Sequence, residues 1–367
     1  FKTILSIEKK PIIIIDEFGY LVEKDQGILS DFQEIVDELL KDTEAKLILC
    51  GSYISVMQAK VLGKKSPLYG RNTMQLNLKP LKFADIFKWF PKIKFEDALK
   101  IYAVTNAIPK YLEFFKAKNV EKEIINNFFD PSSFLYNDVL NLLSEELRDY
   151  STYLQILEAI ALGYTKITEI GNYVFINAKD VYFYLKILIN LGIVERVVPL
   201  FAPKKAKRGT YKIKDNYFKF WFEFVSEFQS DIEAYVIESA IKKFRQNFNI
   251  YLGEVFENLC LESLKELNIF PFTKLGKWWH KDKEIDIIAL NEKSKEILFC
   301  ECKWKDKVNA EKICKELLEK AGYVQWNNDK RKESLAVFAK SFSKRISEFE
   351  GRRVYCFDLK DLERFIK

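Results

Sequence analysis

Apolar and polar positions change period along this chain, and each change predicts a different kind of element. PIIIIDEFGYL (11–21) is a continuous apolar run ending in acids, and AKLILCGS (45–52) is a second run ending in small polar residues. Between them, ILSDFQEIVDELLK (28–41) places its apolar residues three and four apart, as one face of a helix does. Strand, helix, strand with unbroken apolar strands predicts a parallel α/β sheet whose strands are buried on both faces. Residues 81–148 open with PLKFADIFKWF and continue in a Phe-rich helical pattern.

The pattern shifts again over 149–235. Helical periods in TYLQILEAIALG, TKITEIGNYV and NAKDVYFYLKILINLG precede two strand-like runs, IVERVVPLF and GTYKIK, joined by APKKAKR. Three helices followed by a ribbon with a basic tip predict a winged helix-turn-helix. From about 240 onward the expected order is helix, two strands, helix, strand, helix. The fold class expected is therefore multidomain α/β, divided as 1–80, 81–148, 149–235 and 236–367.

Composition narrows this picture in three ways. A chain of 367 residues with 48% hydrophobic content can bury more than one core, and its few Pro and Gly argue against disorder. Its net charge of +6 is modest, but residues 203–219 alone hold seven Lys/Arg against one Asp, which points to a polyanion at that place. The six cysteines form no CxxC pair and there is one histidine, His280, so a zinc site is not expected. Cys300 and Cys302 share a strand face and read as small core residues of a reducing compartment. No apolar run reaches membrane-spanning length, so no membrane partner and a cytoplasmic location are expected. The chain opens at Phe1, without Met or a signal pattern, and reads as cut at its start.

Acids at the carboxyl end of a parallel strand sit where ligands of α/β sheets bind. Asp16 is placed to hold Mg²⁺, usually through water, and Glu17 to orient an attacking water, with Ser52 on the next strand end sensing a terminal phosphate. This is the pattern of a Walker B strand, and it predicts the C-terminal part of a P-loop NTPase core with ATP as ligand. No GxxxxGK[ST] occurs; Gly63-Lys64-Lys65-Ser66 lacks the upstream glycine and follows no apolar strand. The stretches PIIIIDEFGYL, LILCGSYISVM, SPLYGRNTMQLNLKPL and IPKYLEFF resemble the archaeal ATPase family, a STAND/AAA+-like P-loop group. The resemblance covers nearly the whole chain, including the winged helix and the C-terminal WW…EIDIIAL…ECKW pattern. It implies a helical lid over 81–148 and a sensor or finger role for Arg71, against a surface salt bridge as the alternative. Where that family tends to have paired glycines before IPKYL, this chain has Asn106-Ala107.

EIDIIALNEKSKEILFCECKWKD (284–306) puts charges inside apolar runs. If it forms a hairpin turning near Lys293-Ser294, Asp286 faces Glu301, while Glu301 and Lys303 share the face opposite Cys300, Cys302 and Trp304. Facing carboxylates repel unless a cation sits between them, and Mg²⁺ or Mn²⁺ prefers such oxygen ligands. On the preceding helical run YLGEVFENLCLESLKEL, Glu257 lies at the edge of the apolar stripe and Glu254 points away. Asp286, Glu301, Cys302 and Lys303 resemble the PD-(D/E)xK nuclease superfamily. The resemblance implies metal at Asp286 and Glu301, Glu257 in support, and Lys303 activating water for phosphodiester hydrolysis. An exposed hairpin face with a Glu–Lys pair is the plainer alternative.

For DNA contact, Lys179 and Lys186 flank Tyr182 on one face of the third helix of the 149–235 segment. Lys204, Lys205, Lys207 and Arg208 form the basic loop. Two further readings stand beside a DNA-acting ATPase with a metal-dependent nuclease domain: a non-catalytic nucleotide-responsive regulator or scaffold, and an inactive truncated copy.

Overall fold

The computed structural model describes residues 1–52, 54–147, 149–202, 209–267, 269 and 271–366, and the molecule is a mixed α/β protein. Near its start, β1 (Ile12–Ile15) and β2 (Lys46–Leu49) pair in parallel, Ile12 with Lys46 through Ile15 with Leu49. A helical stretch connects them, Ile28–Glu34 continuing as π-helix over Ile35–Leu40. The expectation that both strands are buried fails. Ile12 and Ile14 are 64% and 62% exposed, because helices cover only one face of this sheet among the described residues. On the covered face, Phe18, Val22, Leu29, Phe32, Val56, Val61 and Leu68 form a small core of their own.

From Phe83 onward the interior is shared. Helices Phe83–Trp89, Phe95–Thr105, Val120–Phe128 and Phe134–Glu146 fill the Phe-rich region. Three helices follow, Ser151–Ala161, Ile167–Val174 and Ala178–Asn190, and then β3 (Val194–Val197) pairs antiparallel with β4 (Thr210–Ile213). Helix Asn216–Phe224 is nearly all buried and joins the helix Glu238–Leu267 through a cluster of Phe220, Phe224, Phe244, Phe248 and Tyr251. One buried cluster runs from Phe83 to Leu362 and takes in all three of these regions.

The C-terminal sheet is richer than the pattern suggested. Its six strands are β5 (Lys274–His280), β6 (Lys283–Asn291), β7 (Glu296–Lys303), β9 (Lys332–Ala339), β11 (Glu348–Phe349) and β12 (Arg352–Phe357). They lie in the order β11-β12-β9-β7-β6-β5, with β8 (Val308–Asn309) and β10 (Phe342–Lys344) paired separately. Strands β5, β8, β10, β11 and β12 are additions to the expected order, which had one strand after its second helix. In β5 the run KLGKWWH lacks strict alternation, and β8, β10 and β11 are only two or three residues long.

Packing splits the two sides of this sheet. The long helix Glu238–Leu267 covers the side of Ile287, Ala289, Leu298, Cys300 and Cys302. Helix Ala310–Ala321 covers the side of Ile288, Leu290, Ile297 and Phe299 through Cys314, Leu317 and Ala321. All six cysteines are free thiols.

Candidate functional site

Two constellations emerge. At the carboxyl end of β1, Glu17 takes a left-handed backbone (φ 50°) as helix Phe18–Lys24 begins. Such a conformation costs energy for a non-glycine residue and clusters at functional sites. Phe18 N–H donates to the Cys50 carbonyl at 2.8 Å, which ties the end of β1 to the end of β2. The Ser52 hydroxyl thereby donates to Glu17 Oε2 at 2.9 Å, and Asp16 Oδ1 accepts the Glu17 N–H at 3.0 Å. Asp16, Glu17 and Ser52 are all exposed there, open to a ligand. Arg71 is engaged elsewhere. Its guanidinium grips Asp37 through Nε (2.8 Å) and Nη2 (2.7 Å) and donates from Nη1 to the Pro67 carbonyl, the salt-bridge alternative to a nucleotide contact. Gly63–Ser66 is a turn, closed by Ser66 N–H on the Gly63 carbonyl, and follows a helical segment rather than a strand.

The second constellation is the C-terminal hairpin. Its observed pairs run from Ile287 with Cys300 to Asn291 with Glu296, and that register continues to Asp286 opposite Glu301. The regular ladder stops one residue short of that pair. On its other edge β6 is bulged: Gly276 pairs with Ile288 but Trp278 with Ile285, so Asp286 and Ile287 together oppose Lys277. A bulge re-aims side chains and ends pairing, often beside active sites. Here the Asp286 carboxylate replaces a ladder partner and accepts the Cys302 N–H at 2.7 Å.

Electrostatics explain what gathers around it. Burial, and after it the Glu301 and Glu257 carboxylates, push the Asp286 carboxyl up to about 7. Glu301 is buried, at 4% exposure, yet charged partners surround it. Lys303 Nζ lies 2.7 Å from its Oε1, and Lys320 Nζ reaches Oε1 at 2.8 Å and Oε2 at 3.0 Å. Glu257 pairs with Lys277 at 3.1 Å, and Glu254 pairs with Lys219 away from this centre.

Three carboxylates thus meet three ammonium groups. Lysines already supply positive charge around Asp286 and Glu301, where the sequence led to the expectation of a metal ion. The oxygen donors suit Mg²⁺ or Mn²⁺ chemically. Yet both Glu301 oxygens accept from lysine, and among the described residues no three His, Cys, Asp or Glu are placed to hold one ion. As arranged, the residues do not fit a preformed metal site.

Lys320 was not among the residues singled out from sequence. A signal existed: in AEKICKELLEKA it falls beside Leu317 and Ala321, on the edge of the stripe that packs against the sheet. A cleft of about 1290 Å³ has Ser52 in one wall and Glu257 and Lys277 in another; Asp16, Glu17, Asp286, Glu301 and Lys303 do not line it. Lys179, Tyr182 and Lys186 are all exposed on helix Ala178–Asn190. Lys204, Lys205, Lys207 and Arg208 lie outside the described residues. Among the described residues no helix is long and apolar enough to cross a membrane.

Comparison with known proteins gives two family matches. Residues 1–115 match a family described as an ATPase domain predominantly from Archaea, and this stretch holds Asp16, Glu17, Ser52 and Arg71. Residues 221–313 match one described as archaeal and bacterial proteins of unknown function, a stretch that contains Glu257, Asp286, Glu301 and Lys303. "Uncharacterized protein MJECL04" of Methanocaldococcus jannaschii is 40% identical over 363 residues, spanning 96% of this chain and 80% of the relative. "Uncharacterized protein MJ0424" of the same organism is 49% identical over 45 residues, 12% of this chain and 44% of the relative.

Proposed function

The chain belongs to the family of its larger Methanocaldococcus jannaschii relative and carries an ATPase domain of the type found predominantly in Archaea; from that premise we propose that it is a nucleotide-dependent protein acting on DNA. In this reading the N-terminal constellation serves ATP: Asp16 faces Mg²⁺, Glu17 positions water and Ser52 senses the terminal phosphate. The 149–235 segment acts as a winged helix that presents Lys179 and Lys186 to phosphates. The C-terminal domain, nuclease-like in this reading, engages the phosphodiester.

The observation that carries the C-terminal part is the β6–β7 register with its bulge. It brings Asp286, Glu301 and Lys303 to one strand end and holds the Asp286 carboxyl near neutrality. A carboxyl poised near the working pH is suited to proton transfer. Lys303, one-third exposed, offers an ammonium to phosphate oxygens. The test is cleavage of plasmid and single-stranded DNA with Mg²⁺ or Mn²⁺ present. Cleavage is expected from the wild type and its loss in Asp286→Ala and Lys303→Ala; cleavage that survives either change refutes the assignment.

A second reading, a non-catalytic nucleotide-responsive regulator, is favoured by one observation: both oxygens of Glu301 are already taken by lysines. Under that reading Mn²⁺ gives no thermal stabilisation that depends on Glu301.

A further inference from the structure

Beside the C-terminal centre lies a small hollow with no part in the chemistry above. Its volume is about 290 Å³, close to the roughly 300 Å³ lower end of small-ligand pockets. Its lining is Phe201, Trp278, His280, Gly322, Tyr323 and Gln325. That is room for one planar ring system, with aromatic faces around it and polar edges at His280 and Gln325.

The walls come from three parts of the chain, and each is fixed. Trp278 is buried in the core beneath helix Ala310–Ala321, and its ring lies near-parallel to that of His280, centroids 6.5 Å apart. Phe201 is brought in by Leu200, whose N–H donates to the Lys277 carbonyl at 2.9 Å. Tyr323 follows Lys320 by three residues just past the end of that helix and stands 55% exposed.

Position relative to the centre gives the hollow its meaning. Trp278 pairs with Ile285, the residue before Asp286, and His280 pairs with Lys283. On the other wall, the helix that delivers Tyr323 also delivers Lys320 to Glu301. Lys281, exposed at the turn between β5 and β6, adds positive charge at the rim. In sequence, Phe201 leads into the basic run containing Lys204, Lys205, Lys207 and Arg208. The hollow and the Glu301–Lys303 centre are thus joined through the β5–β6 pairing on one side and the end of helix Ala310–Ala321 on the other. Aromatic faces bind any base, since every base has a π-face, and such stacking is indifferent to sequence.

We propose that the Phe201–Trp278–His280–Tyr323 hollow is a nucleobase subsite, holding one unstacked base of single-stranded DNA next to the phosphodiester centre. The proposal rests on the DNA-acting reading, and its test separates the two. Binding of a short oligothymidylate is compared with binding of an abasic strand of equal length and charge, for the wild type, Tyr323→Ala and Tyr323→Phe. The wild type is expected to prefer the base-bearing strand by about tenfold, Tyr323→Ala to lose that preference and Tyr323→Phe to keep it. Tyr323 is exposed, so both variants should fold, which circular dichroism checks. Equal binding of the two strands by the wild type, or a preference that survives in Tyr323→Ala, overturns the subsite while leaving DNA binding intact. Failure to bind either strand overturns both.

Discussion

Replacing Lys320 with Ala isolates the feature that distinguishes the C-terminal centre. Lys320 donates to both oxygens of a carboxylate that is only 4% exposed, while Lys303 holds Oε1. Removing every partner from a buried charge costs roughly 3–5 kcal/mol, and one hydrogen bond to a charged group is worth about 1.5–3 kcal/mol. Lys303 remains in Lys320→Ala, and the Lys320 side chain is itself 26% exposed, so water takes up part of the loss. The expected cost is therefore about 2 kcal/mol, within the range for a charged hydrogen bond and below that for a fully stripped charge. Urea unfolding near neutral pH, with an unchanged m-value, reads it as a lower midpoint. If the loss comes from an under-compensated Glu301, then Glu301→Gln combined with Lys320→Ala costs less than the two changes summed, by about 1 kcal/mol or more. Mn²⁺ should then recover part of the midpoint in Lys320→Ala but none in the double variant. A Lys320→Ala cost below about 0.5 kcal/mol, or strict additivity, refutes the reasoning.

Other outcomes follow from the same geometry. The Asp286 carboxyl, raised from 3.8 to about 7, binds its proton more tightly when folded than when unfolded, so its contribution favours folding at low pH and is lost as pH rises through about 7. Asp286→Asn should accordingly stabilise the protein above pH 7 by up to about 4 kcal/mol and give no gain near pH 4, and an equal effect at both pH values argues against the shift. Asn106 and Ala107 adopt φ of 51° and 53°, and a left-handed backbone costs an L-residue roughly 1–2 kcal/mol. Ala107→Gly should therefore stabilise the protein by about 0.5–1 kcal/mol once the greater chain entropy of glycine is counted, read as a higher melting temperature, and a lower melting temperature counts against that strain. Lys179→Ala and Lys186→Ala should each weaken DNA binding regardless of sequence and reduce the salt slope by about 1; an unchanged slope removes that helix from the interface.

Much of the centre was legible because an antiparallel hairpin has few degrees of freedom. Once the turn is put near Lys293-Ser294, the pairing from Ile287 with Cys300 to Asn291 with Glu296 follows, and so do the opposite faces of Glu301 and Cys302. The bulge at Asp286 was not legible, because it depends on β5, whose KLGKWWH run does not announce a strand. Lys320 escaped for a related reason: its meeting with Glu301 is made by a helix packing back on the sheet, not by local periodicity. At the other end of the chain, four isoleucines in a row read as a strand covered on both faces. The exposed Ile12 and Ile14 show that local pattern reports what a strand can bury, whereas cover depends on neighbours. Asn106-Ala107 shows the reverse case, a turn geometry maintained although the residues best suited to it are absent.

The helix Glu238–Leu267 is 30 residues long, roughly 45 Å at 1.5 Å per residue. Its early turns are clamped among aromatic rings of the helical region, and its later turns carry Glu257 to the bulge opposite Lys277. Val255, Phe256, Leu259 and Cys260 are buried against the sheet in their turn, so the rod is held along its length. It ties the aromatic bundle firmly to the strand end that carries Asp286, and a substitution that loosens either grip is felt at both.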